Sequence, residues 1–329
     1  MSPLLDSVPI AVLTGFLGSG KSTLLNGLLR SGSLPPTAIV INEFGEVAID
    51  HALIEGVTEG VMLLSSGCVC CAVRSDLEAA LRDLHLKRVR DLIPDYEAVI
   101  LETTGLAEPG PVLQTLTSRT IREMRYQLGP VITTLDAQNG MAALESHHEA
   151  VQQVAIADRV ILTKTDLVPA PAAVIALARE INPSAPIILS SATPTSKAIF
   201  GDSLLSELPQ VRTYPSNGHH HHHLSGISSY GRVIEGALDW DRVETVVRSF
   251  LQRNGERVLR FKALLHLRGI DEVTALHGVH HTLYPPQLIS AGRTENVSRV
   301  SLVGDNLANS VAATFLDDLS ASASWSPPG

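Results

Sequence analysis

Long apolar runs are what this sequence lacks first. Nowhere do about 18 uninterrupted apolar residues occur, and the opening Met1-Ser2-Pro3-Leu4-Leu5-Asp6 carries neither a basic leader segment nor an apolar one. The expectation is a cytoplasmic protein that spans no membrane. Positive charge is also short: 25 Lys and Arg stand against 34 Asp and Glu, for a formal net charge of -9. With no local basic patch to offset that charge, no nucleic-acid partner is expected. Cysteine is scarcer still. There are only three, Cys68, Cys70 and Cys71, all within four positions. An odd number packed that closely cannot build a disulfide framework, but in a reducing compartment it can present several thiolates to one soft ion.

What is present suffices for two cores. The chain has 329 residues, of which 44% are hydrophobic and 18% charged, so little of it reads as disordered. Residues 1–215 alternate short β-branched apolar runs with helix-like segments, the pattern of a doubly wound, mainly parallel α/β sheet. Strands are expected at Pro9 to Thr14, Ala38 to Asn42, Val61 to Ser65, Ala98 to Glu102, Pro130 to Asp136, Arg159 to Thr163 and Pro186 to Ser190. Residues 216–228, with the run His219 to His223, read as a linker. Residues 229–329 read as a smaller α+β domain, ferredoxin-like in outline, with Asp239 capping a helix from Trp240 to Gln252 and a loose tail from Ser320 to Gly329.

Gly15-Phe16-Leu17-Gly18-Ser19-Gly20-Lys21-Ser22 follows the first strand and precedes a helix, matching G-x-x-x-x-G-K-[ST]. In that context the glycines let backbone N–H groups curl round phosphates, Lys21 supplies charge to the β and γ groups, and the Ser22 hydroxyl joins a Mg²⁺ shell. This is the signature of a P-loop NTPase. Thr163-Lys164-Thr165-Asp166 ends a later strand and resembles the N-K-x-D element that reads guanine, with threonine in place of asparagine. Asp166 would accept from guanine N1 and N2, Lys164 would cover the base, and the substitution at Thr163 removes an amide that would brace the pocket. Ser190-Ser191-Ala192, after the next strand, resembles the loop that completes such a pocket, through Ser191.

Glu102-Thr103-Thr104-Gly105 closes the strand where a magnesium-holding acid and a γ-phosphate-sensing glycine would lie, so Glu102 and Gly105 join Lys21 as the catalytic candidates. Asn42-Glu43-Phe44-Gly45-Glu46 ends another strand at the same edge, and Glu43 lies nearest that end. Ser66-Gly67-Cys68-Val69-Cys70-Cys71 follows a third. Its thiols suit Zn²⁺ first, with Co²⁺ or Cu⁺ as competitors, and Glu43, a histidine or water could complete the set. A redox pair and one or two buried apolar cysteines are the other readings, although redox work usually uses C-x-x-C and burial would not explain why all three share one turn. The histidine run reads equally as an idle linker or a weak metal reservoir.

In that order GFLGSGKSTLLN, NEFGEVAIDHALI, SSGCVCCAVRSDL, ETTGLAEP and TKTDL resemble the CobW-like family of GTP-binding metallochaperones, P-loop GTPases related to those that insert nickel into urease and hydrogenase. RVLRFKALLHL and VHHTLYPPQ resemble the family's C-terminal domain. The resemblance implies GTP and Mg²⁺ at Gly18 to Thr23, metal at Cys68, Cys70 and Cys71, slow GTP hydrolysis, and nucleotide-dependent transfer of the metal to a metal-dependent client protein. Arg74 is the one candidate for an arginine finger. Oligomeric state is left open, a homodimer being compatible with everything above. Two rival functions use the same residues. One is a GTP-gated metal sensor without delivery; the other is an ATP-dependent small-molecule kinase, which Asp166 and the clustered thiols disfavour.

Overall fold

The computed structural model describes residues 7–42, 61–66, 73–168, 171–190, 195–197, 226–289 and 296–323, of which 42, 61–66 and 73–76 are described by their backbone alone. The chain divides into two compact units.

The first unit is built on seven strands: β1 (Val8–Thr14), β2 (Thr37–Asn42), β3 (Val61–Ser66), β4 (Ala98–Glu102), β5 (Tyr126–Asp136), β6 (Arg159–Thr163) and β7 (Ile187–Leu189). They lie in the order β3-β2-β4-β1-β5-β6-β7 and every pairing is parallel. Near-continuous Val, Ile and Leu suits strands covered on both faces, and all five residues of β4 and of β6 are buried. The helices of the connections are α1 (Lys21–Ser31), α2 (Val73–Val89), α3 (Pro109–Leu116), α4 (Arg119–Glu123), α5 (Gly140–Ser146), α6 (His148–Ile156) and α7 (Ala172–Ile181). Helix α1 places Leu24, Leu25 and Leu28 on one face, against Leu13, Ile39 and Ile100. It stops at Gly32, whose left-handed φ of 59° turns the N–H back to Leu29 O.

Strands β1, β2, β3 and β7 differ from expectation by one residue at an end or at both, and β5 differs by more. Gly129-Pro130 reads as a strand start, yet β5 begins four residues earlier at Tyr126. The register against β1 shifts between Ile10 and Val12. A bulge there accommodates Pro130, which has no N–H for a ladder, and a Cβ on Gly129 would sit 3.0 Å from Ile10 O.

The second unit holds β8 (Ile227–Glu235), α8 (Trp240–Asn254), β9 (Val258–Leu265), β10 (Val273–Val279), β11 (Thr282–Leu283), β12 (Gln287–Ile289), β13 (Val297–Asp305) and α9 (Asn309–Ser320). The sheet runs β11-β10-β9-β13-β8, with β12 also on β10, and its named pairs are antiparallel. Val243, Val247, Phe250 and Leu251, spaced at helical intervals on α8, are buried with Phe261, Leu302 and Phe315. Phe250 stacks on Phe315 at 3.9 Å between centroids. Asp239 caps α8 as expected, accepting from Arg242 N at 3.1 Å.

Three expectations for this unit are corrected. The ferredoxin-like outline fails, because the first strand is at the sheet edge and the second helix follows the last strand. Strand β8 starts at Ile227, inside the range read as linker. The tail after Ser320 is ordered as far as a 3-10 turn at Ala321–Ala323: Ser322 is fully buried and its carbonyl accepts from Asp239 N at 3.1 Å, tying the end of α9 to the start of α8.

Candidate functional site

Because the first sheet is parallel, β1, β4, β5 and β6 all end at one edge, where open α/β sheets hold ligands. Thr14, Glu102, Asp136 and Thr163 are their last residues. Gly15, Gly18 and Gly20 have φ of 142°, 69° and 93°, so the loop between β1 and α1 depends on left-handed backbone. A Cβ on Gly15 would collide with Thr134 Oγ1 and the Thr134 carbonyl, and one on Gly20 would meet the Thr163 side chain at 3.3 Å. Helix α1 has no side-chain cap and no acid in its first turn. Its N-terminus therefore offers backbone donors and positive dipole to an anion, with no carboxylate of its own to repel one.

Lys21 is buried, and its Nζ donates to Gly15 O at 2.9 Å and Phe16 O at 3.4 Å, so the ammonium lies across the loop. Ser22 Oγ donates to Glu102 Oε1 at 2.9 Å, bringing a hydroxyl and a buried carboxylate together where β4 meets α1. Thr23, on the same turn, is exposed. Ser19 points elsewhere: its Oγ shares a hydrogen bond with Thr134 Oγ1 at 2.7 Å. Thr103 Oγ1 donates to Thr14 Oγ1 at 2.9 Å, stapling the ends of β4 and β1. Gly105 packs so closely on the phosphate loop that a Cβ would come within 2.6 Å of Leu17 N.

On the β6 side, Thr163 lacks the amide of the usual motif and places a hydroxyl there instead. Its hydroxyl donates to Ser19 O at 2.6 Å and to Leu135 O at 3.2 Å, tying the phosphate loop to two strand ends. Lys164, at φ 54°, reaches Asp136 Oδ2 at 2.6 Å. Asp166 is exposed, and Thr165 Oγ1 reaches Ser190 O at 3.5 Å. Asp136 is the participant that motif reading misses. Its Oδ1 accepts from Gln138 N and Asn139 N, and its Oδ2 from Asn139 Nδ2 as well as Lys164. Burial pushes its carboxyl up, but the bonds from Lys164, Asn139 and the two amides outweigh burial and hold it below the usual aspartate value. The available signal was its place, an acid ending an apolar strand just as Glu102 does.

Gln153 is the other participant without a motif. Buried in α6, its Nε2 donates to Gly105 O and Ala107 O, each at 3.1 Å. It borders a cavity of about 270 Å³ whose walls include Phe16, Leu17, Leu135 and Val154, with Phe16 stacked on His147 at 4.4 Å.

Glu43, Cys68, Cys70, Cys71, Ser191 and the run His219 to His223 lie outside the described residues, as does the side chain of Arg74. Strands β2 and β3 end in register, Asn42 opposite Ser66. Among the described residues there is no group of three or more His, Cys, Asp or Glu that could hold a metal, and no helix is long and apolar enough to cross a membrane. His280 and His281 are engaged at the end of α8, their Nδ1 atoms bonding Gly255 O at 3.1 Å and Leu251 O at 3.0 Å.

The comparisons agree with this geometry. Zinc chaperone YjiA of Escherichia coli strain K12 is 30% identical over 283 residues, 84% of this chain and 87% of that protein. Zinc-regulated GTPase metalloprotein activator 1 of Schizosaccharomyces pombe is 33% identical over 171 residues, 50% of this chain and 40% of the other. The crystal structure of Zn(II)-bound YjiA GTPase from Escherichia coli superposes with a TM-score of 0.72 at 25% identity, over 96% of this chain and 99% of that one. Residues 9–189 match the family described as CobW/HypB/UreG, nucleotide-binding domain, and residues 227–320 match that described as Cobalamin synthesis protein cobW C-terminal domain. A phosphate loop, a strand-end acid and a guanine-type motif on one sheet edge, followed by this second domain, make the chain a member of the CobW/HypB/UreG family.

Proposed function

We propose that this protein is a GTP-binding and GTP-hydrolysing metallochaperone of the cytoplasm, which carries Zn²⁺ as cargo at its C-x-C-C segment and passes it to a metal-dependent client protein in a nucleotide-dependent way. The observation that carries the reading is the convergence on one sheet edge of Lys21, the Ser22–Glu102 pair and the Thr163–Lys164 turn. Two similar proteins are called a zinc chaperone and a zinc-regulated GTPase.

The first turn of α1 would receive the β- and γ-phosphates of GTP, and Lys21, held here by the Gly15 and Phe16 carbonyls, would supply them with positive charge. Ser22 Oγ and Glu102 Oε1, 2.9 Å apart, are the hard oxygen donors that Mg²⁺ takes. When bound there it neutralises charge on the transferring phosphoryl group. Glu102 lies inside the sheet edge, where it holds its own oxygens still. The Gly105 N–H bonds the γ-phosphate and is released when that group leaves. Asp166 selects guanine, Lys164 covers the base, and Ser191 completes the pocket.

Cargo binding is the second half of the cycle. Because β2 and β3 end side by side at Asn42 and Ser66, Glu43 follows one strand end directly and Cys68 the other by two residues, which supports Glu43 as partner to Cys68, Cys70 and Cys71. Thiolates and a carboxylate suit Zn²⁺, with Co²⁺ as the alternative cargo. A site whose donors follow β2, the neighbour of β4, and β3 beyond it binds metal differently in the two nucleotide states, and the coupling is reciprocal. The test is Zn²⁺ and Co²⁺ affinity by chelator competition, with GDP·Mg²⁺ and with a non-hydrolysable GTP analogue, for the wild type and Cys70→Ser/Cys71→Ser. A tenfold difference between nucleotide states, about 1.4 kcal/mol, that vanishes in the variant supports the cycle. Equal affinity in both states refutes it.

A further inference from the structure

The buried face of helix α6 is apolar with one exception. Ala150, Val151, Val154, Ala155 and Ile156 are buried, and Gln153 is buried among them at 0% exposure. A methionine would fill that volume with no amide to desolvate. The glutamine instead spends both its donors on one target, the loop after β4, through Gly105 O and Ala107 O at 3.1 Å each. Two carbonyl acceptors fix which end of the amide faces the loop, and Oε1 is left buried without a hydrogen-bond partner. An unsatisfied buried acceptor disfavours the folded state. The polar end of this side chain is thus committed to the position of one loop.

The loop it grips has the phosphate loop on its other side. Gly105 abuts Leu17, and Leu106, between the two gripped carbonyls, is 48% exposed. One side chain thus holds from behind the segment whose front faces the phosphates. We infer that Gln153 is a positioning residue for GTP hydrolysis: its amide sets where the Gly105 backbone stands and couples the state of that loop to helix α6. The adjoining cavity of about 270 Å³ gives the side chain room to follow when the loop shifts. Gln153 acts through Gly105 and does not itself meet the nucleotide, so the inference rests on the reading of Gly105 as the γ-phosphate contact.

Gln153→Met removes both donors, keeps the length and abolishes the unpartnered oxygen. The expected result is a fall in kcat for GTP of at least tenfold, with GDP affinity changed less than twofold, alongside a lower thermal midpoint from the two carbonyls left without their donors. Affinity for GDP with tetrafluoroaluminate falls in step with kcat. A merely structural role lowers the midpoint in the same way but leaves kcat and the tetrafluoroaluminate complex intact, and overturns the inference. Should the variant not fold, hydrogen exchange on the wild type decides: amides at 105–107 and 150–156 slow together when a non-hydrolysable GTP analogue replaces GDP, and no response in 150–156 overturns the coupling. Gly105→Ala separates the two readings. If it abolishes hydrolysis while Gln153→Met does not, the role of Gly105 stands and that of Gln153 falls; if neither variant changes hydrolysis, both fall.

Discussion

Replacing Thr163 by valine tests how this chain braces its phosphate loop without the asparagine of the usual guanine motif. Valine keeps the branched shape and the methyl beside Gly20 but loses the hydroxyl, whose bonds reach Ser19 O at 2.6 Å and Leu135 O at 3.2 Å. Thr163 and Ser19 are 6% and 3% exposed, so water is poorly placed to replace the lost donor. Leaving a buried carbonyl unsatisfied costs about 1–3 kcal/mol. The cost falls on the loop that wraps the phosphates, so the larger effect is expected in nucleotide binding. We expect Thr163→Val to lower unfolding free energy in urea by about 1–3 kcal/mol and to weaken GDP·Mg²⁺ binding at least tenfold, since tenfold corresponds to about 1.4 kcal/mol. Thr163→Ser keeps the donor and loses a methyl, so its stability falls by about 0.8 kcal/mol while nucleotide affinity is retained. Fluorescent-GDP titration beside urea unfolding measures both. Wild-type affinity in Thr163→Val, in a folded protein, would refute the brace.

Further outcomes follow from other contacts. Asp136 has a folded-state pKa below its unfolded one, so its contribution is full above the unfolded value near ~3.9 and is lost as pH falls through the folded value. Asp136→Asn should cost about 1.5–3 kcal/mol at neutral pH, the worth of a hydrogen bond to a charged group, and flatten the acid limb of a stability profile followed by circular dichroism. Asp166 is exposed and bears no core load. Asp166→Ala should leave the melting temperature within error but cut preference for GTP over ATP by about tenfold or more, read by competition binding. Asp239→Ala removes the cap on α8 and should cost about 1 kcal/mol in denaturant unfolding.

Much of the edge was legible because strands end abruptly in chemistry. β4 and β6 have the bounds the apolar runs imply, and Lys21, Ser22, Glu102, Gly105 and Thr163 do meet. Interactions formed by pairing distant segments were not legible. Gln153 sits in an ordinary helical stretch, and its bonds span 48 and 46 residues. Asp136 carries no motif, and only the parallel pairing of β5 with β6, which sets it beside Thr163, brings Lys164 within reach. Thr163 was identified as a departure but not as a brace, because a single hydroxyl substitutes for an amide only when the Ser19 carbonyl lies 2.6 Å away. The bulge in β5 hid behind Gly129-Pro130, a pair that in isolation reads as a break.

Among the described residues, strand β3 borders one neighbour only, β2. A strand zipped along a single side can open without parting the rest of the sheet, so its amides sit at the low end of local stability. That places the segment leading into the cysteines on a different clock from the phosphate loop, whose strand β1 is held on both sides by β4 and β5. Nucleotide exchange can then proceed on a stiff floor while β3 opens beside it, and metal taken up at the proposed C-x-C-C site should register as slowed solvent exchange along Val61–Ser66 before any central strand responds.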